Sequence, residues 1–179
     1  MPTEISGSTG VNKIQDGTVV DADINSSAAI AGSKISGSFG KVLQVVSDTN
    51  TAQQTTTSTS FQNSNCSIAI TPSSTSSKIL ILFNIASLYV NATGFAWGTV
   101  FRGDNTGTNL GYGDTGFGGI HSDSGVGGHA SVSGSYLDSP NTTSATTYTL
   151  GWRSSSSGYT AYFSGGGSKS VITLVEIAG

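Results

Sequence analysis

Two histidines, His121 and His129, bracket a glycine-rich stretch that also contains Asp123. Imidazole and carboxylate together can hold a divalent cation, and on a threefold axis one histidine per chain would supply three ligands. The spacing matches no established metal motif, however. The stretch reads as surface or interface polar contacts, with no metal and no cofactor expected. Ser, His and Asp are all available for a hydrolytic triad, but among 31 serines availability carries no information. No Gly-x-Ser-x-Gly turn leading into a helix is present. A glycosidase needs two positioned carboxylates. The acids beyond residue 40 are Asp48, Asp104, Asp114, Asp123, Asp138 and Glu176. Asp104, Asp114 and Asp123 share one Gly- and Asn-rich region, where Asp is the ordinary turn residue. Gly116-Phe-Gly-Gly119 and Gly165-Gly-Gly167 open no predicted helix and are not phosphate cradles. The sequence therefore predicts a protein that is not an enzyme.

Carbohydrate binding suits the residues better. Sugars present apolar ring faces and many hydroxyls, which aromatic platforms flanked by Asn, Asp and backbone donors accommodate. Tyr112, Phe117, Tyr136 and Tyr159 lie beside Gly, Ser and Asp in expected loops. The candidate binding set is Tyr112, Asp114, Phe117, His121, Asp123 and Tyr159. Trp97 and Trp152 alternate with strand residues and are expected in the core.

Composition limits what can position these groups. The chain has 179 residues, of which 9% are charged, against about a quarter in an ordinary domain. Apolar residues make up 35% and the net charge is −3, which argues against simple disorder. Ser, Thr, Gly and Val dominate while Leu, Lys, Glu and Arg are scarce, a balance that favours strands over helices. Nothing basic marks a nucleic-acid partner. No apolar run reaches the ~18 residues of a membrane span; the longest, Ile79 to Val90, is broken by Asn84 and Ser87. No secretory leader is recognisable at the N-terminus. Cys66, the single cysteine, excludes an internal disulfide and reads as a small residue at a strand start. A chain this poor in charge suits a part of an assembly.

Residues 1–40 stand apart. Their branched residues, among them Val11, Ile14, Val20, Ile24, Ile30 and Ile35, recur at intervals that match neither a helix nor a strand. One copy alone buries little with this pattern. Three copies wound about an axis would stack the isolated side chains into a narrow core; an extended arm lying on another protein is the second reading. Asn25 to Ile30 has the composition of a helical turn or two. From Gly40 onward strand patterns take over. Strands are predicted at Lys41–Ser47, Asn65–Ile70, Lys78–Val90 with a bend at Asn84, Phe95–Phe101, Leu110–Tyr112, His129–Leu137, Thr146–Arg153, Tyr159–Ser164 and Lys169–Ile177. Asp48 to Ser60 is a loop or an exposed edge strand. In Phe95–Phe101 the large Phe95, Trp97 and Phe101 share one face, and Gly98 and Val100 the other. The expected fold is all-β: an extended N-terminal stem over 1–40, then an antiparallel, jelly-roll-like sandwich over 41–179, assembled as a homotrimer.

Three segments carry a family resemblance. Asp16-Gly-Thr-Val-Val-Asp-Ala-Asp-Ile-Asn-Ser-Ser-Ala-Ala-Ile-Ala-Gly-Ser-Lys-Ile35 resembles a phrase in the stems of bacteriophage fibre proteins, particularly those of cyanobacterial phages. Gly40-Lys-Val-Leu-Gln-Val-Val46 is similar to the short strand that follows it there. Ser67-Ile-Ala-Ile-Thr-Pro-Ser-Ser-Thr-Ser-Ser-Lys-Ile-Leu-Ile81 and Ile172-Thr-Leu-Val-Glu-Ile-Ala178 resemble a C-terminal tip module. The resemblance implies a virion structural protein made in the host cytoplasm, a homotrimeric tail fibre. Residues 1–40 would join another virion protein, tail or adaptor, and the tip would meet host cell-surface polysaccharide. Receptor binding would then fall to the candidate set above. The alternative is a head fibre or decoration protein with a structural role. Neither reading calls for nucleic acid or membrane insertion.

Overall fold

The computed structural model describes residues 42–123 and 128–179. The stem expectation, with Val11, Ile14, Val20, Ile24, Ile30 and Ile35 and the turn at Asn25–Ile30, lies outside these residues. Eleven strands follow one another: β1 (Val42–Asn50), β2 (Gln54–Thr56), β3 (Gln62–Ile70), β4 (Lys78–Val90), β5 (Gly94–Arg102), β6 (Thr108–Asn109), β7 (Gly118–Ser122), β8 (Gly128–Asp138), β9 (Thr146–Ser154), β10 (Ala161–Phe163) and β11 (Ser170–Ile177). One turn of 3-10 helix, Gly165–Gly167, precedes the last strand. Among the described residues no helix is long and apolar enough to cross a membrane.

The strands form two antiparallel sheets. In the first, β1 pairs with β11, β11 with β4, and β4 with β8 along its other edge. Beyond the end of β11, β10 continues along β4 and carries β2. In the second, β3 pairs with β9 and β9 with β5. The free edge of β5 is shared by β7, along Gly94–Gly98, and β6, along Phe101–Arg102. Asp48 to Ser60 thus contains the end of β1 and the short β2, and the strand expected at Leu110–Tyr112 is replaced by β6 and β7 on either side of it.

Period-two alternation builds the core between the sheets. From the first sheet come Ile79, Ile81, Phe83, Ile85, Leu88, Val90, Ile172 and Leu174; from the second come Ile70, Ala96, Val100, Tyr148, Leu150 and Trp152. Cys66 is fully buried within β3 rather than at its start. The inward positions of β4 shift phase between Ile85 and Leu88, where its register with β8 slips. Ser87 absorbs the extra residue with φ 54, and Ser170 Oγ accepts from the freed Ala86 N–H at 3.0 Å. The irregularity thus falls after Ile85, and Asn84 stays in regular pairing with Val171 and Ser133. Such a bulge keeps the six core side chains of β4 on one face on both sides of the slip.

Candidate functional site

The outer face of the second sheet is organised by β5. Its inner positions are small because the facing sheet is close: a Cβ at Gly98 would stand 2.7 Å from Ile85 Cδ1. The bulky side chains of the same strand are therefore turned outward. Trp97 is half-buried on that outer face and not in the core, whereas Trp152 is in the core as expected. The Phe95 and Trp97 rings lie parallel, 4.8 Å between centroids. Across the ladder His121 stacks on Phe95 at 4.1 Å, and its Nδ1 is 3.0 Å from Asp123 Oδ1. Gly119 opposite Trp97 leaves room for the indole, since a Cβ there would lie 2.6 Å from Trp97 Cε3.

Arg153, the cross-strand neighbour of Trp97 on β9, ties three segments together. Its Nε donates to the Asp114 carbonyl at 2.7 Å and its Nη1 to the Thr59 carbonyl at 2.6 Å. The guanidinium lies 5.6 Å from the Phe61 ring centroid, within cation–π range. Phe61 in turn meets Phe101 edge-on at 5.9 Å. A groove of about 330 Å³ opens here, lined by Phe61, Phe101, Asn105, Asn109, Asp114 and Arg153. A second groove, about 560 Å³, lies on the other side of the β5–β6 turn and is lined by Asn63, Ser67, Asp104, Thr106, Thr147 and Thr149. Gly107 borders both.

The turn between the grooves is rigidly held. Asn105 receives and returns hydrogen bonds with Asn63, its backbone N–H donating to Asn63 Oδ1 at 2.7 Å. Its amide also donates to the Phe61 carbonyl at 3.1 Å. Asp104 accepts from the Thr106 hydroxyl at 2.6 Å and the Thr106 N–H at 2.8 Å. These bonds, the hydroxyl first, hold its carboxyl below the ordinary range, so Asp104 is an acceptor rather than a proton donor.

The six expected residues do not converge on one point. Asp114 lines the smaller groove. Tyr112, 83% exposed, stands on the same loop, where its backbone pairs with Gly116 at 2.9 and 2.8 Å. His121 and Asp123 form their own pair at the far end of the aromatic ladder. Phe117 is half-buried and packs on Phe83 at 4.9 Å, which closes an edge of the core. Tyr159 packs against the core over Gly94. Sequence reasoning missed Phe61, Asn105, Asn109 and Arg153, which lie far apart along the chain.

The two histidines serve different sheets. His129, on β8, accepts from or donates to Ser87 Oγ at 2.8 Å through Nδ1 and stacks on Tyr89 at 4.3 Å. Among the described residues the ion pair is Arg102–Asp138 and the carboxylate beside an imidazole is Asp123, against His121, so none completes a triad behind His129. No group of three or more ligating side chains gathers for a metal among these residues.

What the outer face offers is therefore shape, aromatic surface and neutral hydrogen-bonding groups. Two of the Arg153 nitrogens, Nε and Nη1, are engaged with carbonyls, and the other charged residues lining the grooves, Asp104 and Asp114, are acidic.

No protein-family model matches the chain, and no curated protein matches it. Among solved structures it is similar to a chain in "Structure of infectious bursal disease virus Gx strain", at 14% identity and a TM-score of 0.31. The match covers 75% of this chain and 39% of that one, so the chain spans about two fifths of the length of the solved chain it matches. A likeness this slight carries no function.

Proposed function

We propose that the chain is a structural protein of a bacteriophage virion: a homotrimeric tail fibre that joins the tail or an adaptor through residues 1–40 and adsorbs to host-surface polysaccharide through its sandwich. The stem phrase from Asp16 to Ile35 supports the family. The strand order supports a jelly-roll tip. β1-β11-β4-β8 faces β3-β9-β5-β7, and the pairs β1/β11, β3/β9, β4/β8 and β5/β7 are nested as in a long hairpin rolled on itself. The observation that carries the glycan reading is the outer face of the second sheet, where the Phe61–Arg153–Asp114 groove adjoins the Phe95–Trp97–His121 stack. Binding there makes and breaks no covalent bond. Three identical weak sites on one trimer convert modest affinity into firm attachment.

The test is adsorption to isolated host polysaccharide by the purified full chain, with Tyr112→Ala and Asp114→Ala as variants. Both side chains are exposed, so the fold and the assembly are expected to survive. About tenfold weaker binding per site is expected, amplified across three sites. Wild-type binding by both variants would remove the groove from consideration. Virions that lack the protein yet adsorb at the normal rate would favour the head-fibre or decoration reading instead.

A further inference from the structure

The outer face of the first sheet is chemically unlike that of the second. Its cross-strand rows can be read directly from the register. Val45, Val175, Leu80 and Leu137 form one continuous aliphatic row across four strands. Beside it, Ser47, Thr173, Leu82 and Ser135 form a mixed row, and Thr49, Val171, Asn84 and Ser133 a mostly polar one. On the other side lie Val42 and Ile177, paired with each other, and Leu43 in a bulge between Val42 and Gln44. Val42 is 61% exposed, Val45 56%, Leu137 54%, and Leu43 and Leu82 42% each. Lys78 is the one charged side chain on these rows, and its Nζ is engaged by Ser139 Oγ at 2.8 Å. A sheet face meeting water ordinarily alternates apolar-in with polar-out; here the outward positions of the Val45 row and of the Val42–Ile177 end are apolar as well.

We infer that this face, centred on the Val45–Val175–Leu80–Leu137 row, packs against a second copy of the same chain. The inference rests on the trimeric reading above and names the surface that reading needs. Three observations favour a copy of this chain over another occupant. Charge is depleted at the centre and Ser and Thr lie to the side, as in an interface core with its rim. The exposed aliphatic surface is on the order of 500 Å², the size of the largest apolar patch on a typical monomer, which is often functional. With the adjoining Ser/Thr rows it approaches the ~800 Å² per partner of a standard interface. Finally, the apolar surface is continuous from that row to Val42, Leu43 and Ile177 at one end of the sheet, so a second copy could cover it in a single contact.

Thiol protection in the full chain tests the inference. Cys66 is a silent background: it is fully buried, and burial first, with Asp48 nearby, pushes its thiol up to about 12. A maleimide reagent therefore reports only on an introduced cysteine. Leu137→Cys is expected to label at least tenfold more slowly than Ser157→Cys, which lies in an exposed turn. Adding Val45→Lys across the row should restore fast labelling, with circular dichroism confirming the fold. Light scattering on the same samples separates the failures. Equal labelling rates with a mass of three chains would overturn this face and leave the trimeric reading standing. Equal rates with the mass of one chain would overturn both. Protection that arises only in assembled virions would place another virion protein here and likewise overturn the inference.

Discussion

Glu176 on β11 faces inward and is fully buried, yet no cation faces it among the described residues. Its Oε1 accepts from the Ser73 N–H at 2.6 Å and the Ser73 hydroxyl at 2.7 Å; its Oε2 accepts from Gln44 Nε2 at 2.6 Å. Burial by itself would raise the carboxyl, but the Gln44 and Ser73 donors outweigh it and lower the group from an ordinary 4.5 to about 2. A group depressed on folding adds stability that is complete above its unfolded value and disappears as pH falls through its folded value. Glu176 should thus stabilise fully above about pH 4.5 and cease to do so near pH 2. The interval sets a ceiling of about 3 kcal/mol. The site lies just beneath the Thr71–Ser77 surface loop, so water screens part of this, and about 1–2 kcal/mol is the expected share. Glu176→Gln would confront the same donors with an amide that is itself a donor, and should cost about 2–3 kcal/mol at neutral pH. Urea unfolding followed by tryptophan fluorescence, between pH 6 and pH 2.5, measures both effects. The wild type should lose stability relative to the variant as pH falls below 4.5. Parallel curves for the two proteins, or equal stability at pH 7, would refute the assignment of a buried, ionised carboxylate.

Three further stability predictions concern groups that hold the sheets in place around the site. Asp138 accepts from the buried Tyr148 hydroxyl at 2.7 Å and from Arg102 Nη1 at 3.3 Å to each oxygen, linking β8 to β9 and β5. Asp138→Ala should cost about 2–4 kcal/mol because it strands the buried Tyr148 hydroxyl and leaves Arg102 Nη1 only the Ser139 carbonyl, and Tyr148→Phe only about 1–2; equal losses in urea midpoints would argue against the network. Gly98→Ala should destabilise by about 1–3 kcal/mol through the clash with Ile85. Gly116→Ala, at φ +59 and against the Gly98 carbonyl, should cost at least about 2 kcal/mol. Gly113→Ala is the control, since a Cβ there meets nothing within 4 Å and only its positive φ resists, at about 1 kcal/mol.

The core strands were legible because their signal is local. Lys78–Val90 has the bounds expected from its apolar run, and β3, β8, β9 and β11 fall within a few residues of theirs. The bulge was not legible, because a phase slip between Ile85 and Leu88 is one residue in a run that is apolar throughout. For β5 the alternation was read correctly but its orientation was not. Periodicity assigns residues to two faces without saying which is inward; here Ile85 on the facing sheet decides, by leaving room only for hydrogen at Gly98. β7 escaped notice because Gly118 and Gly119 are poor strand formers, and the requirement that keeps Gly119 small is an indole from a different strand. The groove was hidden for the same reason. Phe61, Asn105, Asp114 and Arg153 come from four segments, and only the strand pairing of β5 with β9 and the Arg153 bonds assemble them.

The opposed chemistry of the two outer faces links the assembly to the proposed site. A sandwich has two broad surfaces, and packing copies through one leaves the other free. The outer rows of the first sheet carry the aliphatic row and a single charge, Lys78; the second sheet carries the grooves, the aromatic ladder and the hydrogen-bonding loops. If copies pack through the first sheet, each groove turns away from the contact and toward whatever the particle meets. The inward-facing small residues of β5 then acquire a functional consequence. Ala96 and Gly98 let the sheets approach closely, and that approach is what forces Phe95 and Trp97 onto the surface that remains exposed. Enlarging Gly98 should therefore do more than destabilise the sandwich. By pushing β5 away from Ile85 it should also shift Trp97 relative to Gly119 and Arg153, so that polysaccharide affinity falls even under conditions where the variant is fully folded.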